Sequence, residues 1–415
     1  MKVIPVVLET LSITRIGSSG VYFDYSSADI VTYKIPFQAN DIYYIPAIPA
    51  TSFKGLLRST YERYLRRSGN IAGEEFKKKL EDRINKLEDK YKKFLHDNEN
   101  SLAYKLCDEI SKFYYAGMLS GEKPSSLNID FSNSENCKKI VKENKIEEVL
   151  KKLLLIYFDV TGYNPEKACY STSDFDRCEN ISIIEDQTTK CNKTIWMRIT
   201  GRNPICEVCK VFGTSGIRGY VKFTDLIAID PFPVLLERLT HVAINRVTGT
   251  AEEHKLFTEE VIPAGVKFLG FLLVLDDSKL EKVKEALYIL RKKAERGEVW
   301  IGGRGTSGYG NFKLYIYDDI VSINFLGHRM NVRLKISEPN PPTLKIPLLE
   351  KLFPPLLLSS LEVVEEGKFR LQLLDENNAV LGEYDTLNEA EKAKEELEKQ
   401  GKKVRIVPRG VMELL

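Results

Sequence analysis

The segment WIGGRGTSGYGNF, residues Trp300 to Phe312, places five glycines within the nine positions from 302 to 310, with Arg304 and Tyr309 between them. Glycine adopts positive φ and lets another backbone approach closely, so we expect this loop to lie flat against another part of the molecule. Arginine binds phosphate and tyrosine stacks on bases, which makes the loop a candidate nucleic-acid contact. A tight turn beside a strand is the competing interpretation.

The composition and charge of the chain limit the classes of protein to which it can belong. The chain has 415 residues, of which 43% are hydrophobic and 29% charged, as in an ordinary globular protein of about two or three domains. The formal net charge is +2, so a surface that binds nucleic acid must be local. No apolar run approaches the roughly 20 residues that span a membrane, and the first residues alternate like a strand and lack the architecture of a signal peptide. We expect a cytoplasmic protein with no membrane partner.

Hydrophobic periodicity divides the chain into segments of different character. Strand and helix patterns fill residues 1–67 and return in 221–335, whereas 69–157 carry the repeated spacing of amphipathic helices and 158–220 hold the cysteine region. Prolines punctuate a linker at 336–359. The remainder, 360–415, follows the pattern strand, turn, strand, helix, strand, and is short enough that we expect it to dock on the main body.

Five of the seven cysteines are candidates for a metal site because they lie close together in the sequence: Cys169, Cys178, Cys191, Cys206 and Cys209. Such clustering in a cytosolic protein favours a metal over disulfides. Cys206 and Cys209 form the pair CEVC, whose spacing lets both thiolates reach one tetrahedral ion. Cys178 and Cys191 are the expected further ligands, with Cys169 as the alternative.

Four thiolates leave no open coordination position for catalysis, so we expect a structural zinc that staples a loop-rich region. Free thiols on a loop and a redox pair are the competing interpretations. The two remaining cysteines, Cys107 and Cys137, lie in helical patterns, and we expect them to be buried apolar residues.

A helix with a basic face follows the strand pattern YYIPAIP. Lys54 and Arg58 are one turn apart and share a side of this helix. Ser52 and the backbone amides of the first turn can complete an anion site at the helix N-terminus. A phosphate backbone fits this arrangement, and a basic helix that faces solvent is the alternative.

Residues 241–262 alternate and turn at VTGTAEEHK, the pattern of an extended β-hairpin. Such a hairpin carries Arg246 into reach of a partner, unless it is a plain surface loop. His241 and His254 also fall on it, but two isolated histidines in this pattern are more often incidental than catalytic.

Four segments together resemble the RAMP superfamily of CRISPR proteins. YYIPAIPATSFKGLLRSTYE is similar to that family's Y-I-P-x-S-S-x-K-G-x-x-R signature. The backbone subunits of type III Csm and Cmr effector complexes carry C-x-x-C-x-x-F-G, I-x-R-x-T-G-x-A…E-x-x-P-x-G-x-x-F and G-G-x-G-x-x-G-Y-G segments. These resemble, in the same order, CEVCKVFGTSGIRGYVKFTD, NRVTGTAEEHKLFTEEVIPAGVKF and GGRGTSGYGNF.

The resemblance implies an α+β fold. Its core is a modified RRM, or ferredoxin-like, domain with palm, finger and thumb elements over residues 1–67 and 158–335. The zinc-stapled loop region falls within these residues, whereas the helical insertion at 69–157 and a small ββαβ C-terminal extension over 360–415 lie outside the resemblance.

The resemblance also implies partners: a guide RNA, target RNA, other Cas subunits of a type III complex and further copies of this chain. In that family the basic helix and the glycine-rich loop hold the guide, and the hairpin is a thumb that kinks the guide–target duplex. We therefore expect RNA binding by Ser52, Lys54, Arg58, Arg246, Arg304 and Tyr309.

In the family an aspartate in the loop after the first strand cleaves target RNA with a divalent metal, Mg²⁺ or Mn²⁺. The family's pattern falls best on SSADIVTYKIP, hence on Asp29, with Asp24 as the competitor. A turn residue is the plain interpretation of either aspartate. Because RNA carries its own nucleophile, the 2′-hydroxyl, a single carboxylate that holds a metal can suffice.

Three other functions remain open. A catalytically inactive backbone subunit differs from the main hypothesis only in the role of Asp29. A guide-processing endoribonuclease of the same superfamily would use a histidine as general acid–base, but no histidine precedes His96. A metal-binding module unrelated to RNA leaves the basic helix and the glycine-rich loop unexplained.

Overall fold

The computed structural model describes residues 1–17, 28–38, 42–67, 74–95, 101–116, 133–143, 145–161, 167–169, 176–178, 187–203, 205–231, 234–325, 328–339, 347–366, 371–375, 379–384 and 387–408. Asp24, the competing candidate for metal-dependent cleavage, lies outside the described residues, as does His96.

The strands are β1 (Lys2–Thr10), β2 (Lys34–Gln38), β3 (Ile42–Ile48), β4 (Val221–Phe223), β5 (Leu226–Asp230), β6 (Glu237–Ile244), β7 (Ala251–Val261), β8 (Lys267–Val274), β9 (Phe312–Tyr315), β10 (Ile320–Phe325), β11 (His328–Leu334), β12 (Leu361–Glu366), β13 (Leu371–Leu374), β14 (Val380–Tyr384) and β15 (Arg405–Pro408). The helices are α1 (Ala50–Arg67), α2 (Glu74–Asn85), α3 (Asp89–Lys92), α4 (Leu102–Tyr115), α5 (Ser134–Glu143), α6 (Ile146–Thr161), α7 (Gln187–Thr200), α8 (Glu207–Phe212), α9 (Leu280–Glu295), α10 (Pro347–Leu352), α11 (Pro355–Leu358) and α12 (Leu387–Lys399).

The chain divides into two compact units. The first consists of Met1–Leu56, Lys222–Leu280 and Leu290–Leu415, and the second of Leu57–Val221 and Glu281–Ile289. The first unit is rich in strands, and the second is mainly helical.

The larger sheet has seven strands in the order β2-β3-β5-β8-β1-β9, with β4 paired to β8. Along the chain, β1, α1, β5, β8, α9 and β9 follow the order β-α-β-β-α-β, and the four strands lie as β5-β8-β1-β9 with antiparallel neighbours. This is the arrangement of a ferredoxin-like, or RRM, core. The expected α+β fold class is therefore confirmed, and β2 and β3 extend the sheet beyond β5.

Strand β1 lies inside this sheet, between β8 and the edge strand β9. Its residues Val3, Ile4, Val6, Val7 and Leu8 are completely buried. A continuous apolar run is typical of a strand with both faces covered, which explains why the first residues of the chain form an interior strand of the sheet.

The second unit has its own apolar core, to which α2, α4, α5, α6 and α7 contribute. The ring of Trp196 on α7 meets that of Tyr157 on α6 edge to face, with centroids 5.3 Å apart. The helical insertion expected from periodicity is confirmed, and α7, which lies in the cysteine region beyond it, joins the same core.

Cys107 on α4 and Cys137 on α5 are both buried, as expected, but they form a disulfide with each other. The expectation that they are simple apolar residues is therefore wrong. Each thiol lies on a helix of the same core, so the bond joins two elements that already pack together.

Strands β6 and β7 form the expected hairpin, paired from Glu237 and Val261 to Ile244 and Ala251. The turn is held by the side chain of Asn245, whose Oδ1 accepts a hydrogen bond from the amide of Val247 at 2.8 Å. In the chain this hairpin connects β5 with β8.

The C-terminal part forms two small sheets, ordered β10-β11-β12 and β14-β13-β15. Helix α12 lies between β14 and β15 in sequence and contacts the second sheet. Leu373 and Leu374 of β13 and Ala390 of α12 are buried. The expected ββαβ extension is thus confirmed.

Candidate RNA interface and cysteine cluster

The glycine-rich loop lies flat against the segment that follows β1. Gly302 has φ 82°, and a Cβ at this position would be only 2.1 Å from the carbonyl oxygen of Arg15. The amide of Gly303 donates to that same oxygen at 3.0 Å, and the amide of Gly310 donates to the carbonyl of Ile13 at 2.9 Å. The close approach expected from the glycines is confirmed, and the neighbour is the chain's own backbone.

The side chain of Arg304 extends from this loop to strand β7. Its backbone is left-handed, with φ 60°. Its Nη1 lies 3.3 Å from Oε1 of Glu259, and its guanidinium carbon is 5.2 Å from the ring centroid of Phe257 and 6.0 Å from that of Tyr309. Arg304 therefore contacts both Tyr309 and the hairpin.

Glu259 is a buried carboxylate with three cationic or polar neighbours. Its Oε1 lies 2.7 Å from Nε2 of His241, and its Oε2 lies 3.4 Å from Nε of Arg15. The His241 ring stacks on Phe257 with centroids 5.1 Å apart. The sequence does not indicate Glu259 or Arg15 as functional residues, and it suggests that His241 is incidental. The one signal for Glu259 is an acidic residue within an alternating strand.

Asp29 contacts the next residue of β7. Its Oδ2 accepts hydrogen bonds from the amide and the hydroxyl of Thr258, at 2.7 and 3.2 Å. The adjacent backbone also pairs with β7, since the amide of Ile30 donates to the carbonyl of Thr258 and the amide of Glu260 donates to the carbonyl of Ile30. Asp29 itself is exposed, so its second carboxylate oxygen can reach a ligand from solvent.

Strand β7 is thus the junction of the expected functional segments. Thr258 holds Asp29, Glu259 contacts Arg304, and Oε1 of Glu260 accepts from Nζ of Lys34 at 2.8 Å. Three consecutive residues bind the loop after β1, the glycine-rich loop and the start of β2.

The hairpin tip leaves Arg246 exposed. Beside it Val247 is 94% exposed, and Ile244 and Leu256 are also largely exposed. The tip therefore presents the cation of Arg246 and several apolar side chains to a partner. The side chain of His254 lies outside the described parts of the hairpin.

The N-terminus of α1 differs from the expected anion site. Oδ1 of Asp225 accepts a hydrogen bond from the amide of Ala50 at 2.7 Å, so a carboxylate of the protein already occupies this position. The amide of Ser52 donates to the carbonyl of Pro49 at 2.9 Å. The Ser52 side chain is exposed and Lys54 is half-buried, so both remain candidates for RNA binding through their side chains alone.

Arg58 is also placed differently from the expectation. Its guanidinium donates to Oε1 of Glu62 at 2.8 Å, to the carbonyl of Gly213 at 2.7 Å and to Sγ of Cys209 at 3.4 Å. Burial lowers the pKa of Arg58, but the hydrogen bond to Glu62 and the nearby sulfur atoms raise this pKa by more, so the group is firmly cationic. Arg58, which the sequence predicts to bind an RNA phosphate, instead binds groups of the protein itself beside the cysteines.

The cysteine cluster consists of Cys169, Cys178, Cys206 and Cys209, whose sulfur atoms all lie within 4.8 Å of one another. All four are buried. The sulfur atoms of Cys169 and Cys209 are 3.6 Å apart, close to the ~3.8 Å between thiolates around a tetrahedral zinc with Zn–S bonds of ≈ 2.3 Å. The four residues therefore fit a zinc ion by number, type and spacing.

Cys191, one of the expected ligands, is outside this cluster. It lies half-exposed on α7, whereas Cys169 belongs to the cluster. The expectation of Cys191 is therefore corrected to Cys169. Spacing in the sequence made the nearer cysteine the natural choice, but the helix that carries Cys191 packs into the apolar core instead.

The surroundings of the cluster suit thiolates. The amide of Cys206 donates to Sγ of Cys178 at 3.2 Å, and the amide of Cys209 donates to Sγ of Cys206 at 3.4 Å. Such N–H···S contacts orient ligands and offset their charge.

Two arginines add positive charge. Nη2 of Arg202 lies 3.6 Å from Sγ of Cys178, and Arg58 contacts Cys209. Four thiolates and Zn²⁺ together carry two negative charges, and the nearby guanidinium groups offset part of this charge. Arg202 also pairs with buried Asp176, whose carboxylate accepts from the indole of Trp196, so the cluster is linked to the helical core of the same unit.

No helix within the described residues is both long and apolar enough to cross a membrane. None of the curated proteins compared with the chain matches it significantly. A chain of a solved Type IV-B CRISPR complex resembles it with 12% identity and a TM-score of 0.32, over 76% of this chain and 90% of that chain, a likeness too distant to carry an argument. The model of the RAMP superfamily matches residues 7–313. The chain therefore belongs to the RAMP superfamily, the CRISPR-associated family that its motifs indicate.

Proposed function

We propose that this chain is a guide-RNA-binding backbone subunit of a type III CRISPR effector complex in the cytoplasm. Its partners are the guide RNA, target RNA, other Cas subunits and further copies of itself. The observation that supports this best is the junction on β7, where Asp29, Arg304 and the hairpin meet in one place. In this proposal residues 1–67 and 158–335 are the functional core, and 69–157 and 360–415 are additions.

Guide RNA is held by residues that remain accessible or half-buried: Ser52, Lys54, Arg246, Arg304 and Tyr309. Arginine and lysine bind phosphates whatever the sequence of the RNA, as a guide-binding subunit requires. The exposed apolar tip of the hairpin is suited to separate stacked bases, and in this way the hairpin kinks the guide–target duplex. Arg58 is not part of the proposed surface, because its donors are used beside the cysteines.

Target RNA cleavage is assigned to Asp29. The 2′-hydroxyl of one nucleotide attacks the adjacent phosphorus, and its proton ends on the departing 5′-oxygen, which leaves a 2′,3′-cyclic phosphate and a 5′-hydroxyl. Mg²⁺ or Mn²⁺ stabilises negative charge on the phosphoryl oxygens when bound. Thr258 fixes one oxygen of Asp29, so that the other is held ready for the ion.

Zinc is proposed as a structural ion bound by Cys169, Cys178, Cys206 and Cys209. Because no coordination position would stay open, its contribution is to the stability of this part of the chain.

Cleavage of target RNA by the complex purified with its guide tests the proposal. Asp29→Ala should abolish cleavage while guide binding survives, and Asp24→Ala, the same charge change in the same segment, should still cleave. Asp29→Asn keeps an oxygen for the amide of Thr258 and removes the charge, so it should be as inactive as Asp29→Ala. Chelation of divalent ions should stop cleavage by the wild type.

A catalytically inactive backbone subunit is the second candidate, favoured by the hydrogen bonds that give Asp29 a structural role. Normal cleavage by both aspartate variants, or none by the wild type, would support it. Guide-length cleavage of free precursor RNA without partner subunits would instead indicate a guide-processing endoribonuclease. Loss of activity in Asp24→Ala alone would move the metal ligand to that residue.

A further inference from the structure

We infer that Arg15 and Arg304 form a binding site for one phosphodiester of RNA, and that Glu259 is the positioning residue that holds them. His241 supports both, since its ring contacts Glu259 at 2.7 Å and Nη1 of Arg304 at 3.3 Å. The inference rests on the RNA binding proposed above and defines one site within it. Arg15, His241 and Glu259 are additions to the residues that the sequence indicates.

Burial separates the roles of these four residues. The Glu259 side chain is completely buried, whereas those of Arg15, His241 and Arg304 are 26%, 26% and 27% exposed. A buried carboxylate is costly unless it is paired, so Glu259 requires these neighbours in place. Two guanidinium groups against one carboxylate leave net positive charge on the exposed side.

The geometry leaves donors for a ligand. Arg304 approaches Glu259 through Nη1 and Arg15 approaches it through Nε. A guanidinium has five N–H donors, so each arginine keeps donors that a phosphate can accept in a bidentate way. Because the three side chains come from the segment after β1, from β6 and from the glycine-rich loop, one buried carboxylate orients groups from three parts of the chain.

Aromatic rings complete the site. Phe257 and Tyr309 both lie within cation–π distance of the Arg304 guanidinium, at 5.2 and 6.0 Å. They restrict the orientation of Arg304, and the half-buried Tyr309 offers a ring on which a base beside the bound phosphate can stack. The site therefore accepts a nucleotide unit of RNA without regard to its base.

Binding of fluorescently labelled oligouridylate to the full chain, titrated over a range of salt concentrations, tests the site. Glu259→Gln removes a negative charge, so charge alone would make RNA bind more tightly. We expect about tenfold weaker binding instead, because Arg15 and Arg304 lose the carboxylate charge that orients them. Arg15→Ala should flatten the slope of log K against log salt by about one unit. Arg296→Ala, an exposed arginine just after α9, should change neither quantity.

Thermal melting shows whether each variant folds. If Glu259→Gln does not fold, the salt dependence of Arg15→Ala decides the test. A wild-type slope in Arg15→Ala, or RNA binding by folded Glu259→Gln as tight as that of the wild type, overturns this site while RNA binding by the chain stands. A wild-type chain that binds no RNA overturns the proposed function and the site together.

Discussion

The carboxylate of Asp29 accepts a hydrogen bond of 2.7 Å from the amide of Thr258, a residue 229 positions away in the chain. The hydroxyl of Thr258 donates to the same oxygen at 3.2 Å. The loop that follows the first strand is thereby attached to the hairpin, and the same strand segment contacts the glycine-rich loop through Glu259.

Thr258→Val should slow target cleavage by about fivefold, the equivalent of one neutral hydrogen bond, because the amide still holds Asp29 after the hydroxyl is lost. Single-turnover cleavage by the assembled complex measures this. Thr240→Val is the matched control, since Thr240 faces Thr258 on the partner strand. Equal rates in both variants would show that the hydroxyl does not orient Asp29.

Arg58→Ala should lower the free energy of unfolding by about 1–3 kcal/mol, because Glu62 loses a charged partner in a buried position. The salt dependence of RNA binding should stay unchanged, since Arg58 is not assigned to the RNA surface. Arg63→Ala, an exposed arginine on the same helix, should leave stability close to that of the wild type. A flatter salt slope in Arg58→Ala would restore this residue to the RNA interface.

The core of the fold was predictable because its signals are local. The apolar run of β1 and the alternation of the hairpin each lie within one segment, and the glycines of the 302–310 loop demand a close backbone neighbour. Arg58 was not predictable in the same way. A basic helix face has the same sequence pattern whether it meets a phosphate or a group of thiolates 151 residues away.

The cysteine ligands show the same limit. CEVC is a local motif, and both of its cysteines are in the cluster. The further ligands depend on how the intervening chain folds, and helix α7 carries Cys191 away from the site that Cys169 reaches. Glu259 was missed because an acidic residue within an alternating strand does not reveal which long-range partners it has.

Cys169→Ser should release about one zinc ion per chain and lower the melting temperature, because ligand loss removes metal-coupled folding energy. Cys191→Ser should retain the metal and melt like the wild type, since Cys191 lies outside the cluster. The zinc content of the two purified variants, measured by elemental analysis, shows whether Cys169 or Cys191 is the ligand. Zinc lost from Cys191→Ser and kept in Cys169→Ser would reverse the assignment.

The denatured, unreduced chain should react with five equivalents of a thiol reagent, because Cys107 and Cys137 are joined and five cysteines are free. Chelator keeps the metal-binding thiols accessible in this assay. Replacing both bonded cysteines with serine should cost about 2–4 kcal/mol of stability. Seven reactive thiols before reduction would show that the bond does not form in the protein.

The nucleic acid that accompanies the natively purified chain tests most directly whether it is a guide-binding backbone subunit. We expect RNA of a narrow length range, bound together with other Cas subunits and several copies of this chain. A subunit that binds phosphates without reading bases can bind successive segments of one guide, so several copies can line up along it. A chain that purifies alone and free of RNA, from cells that express the whole complex and its guides, would contradict this function.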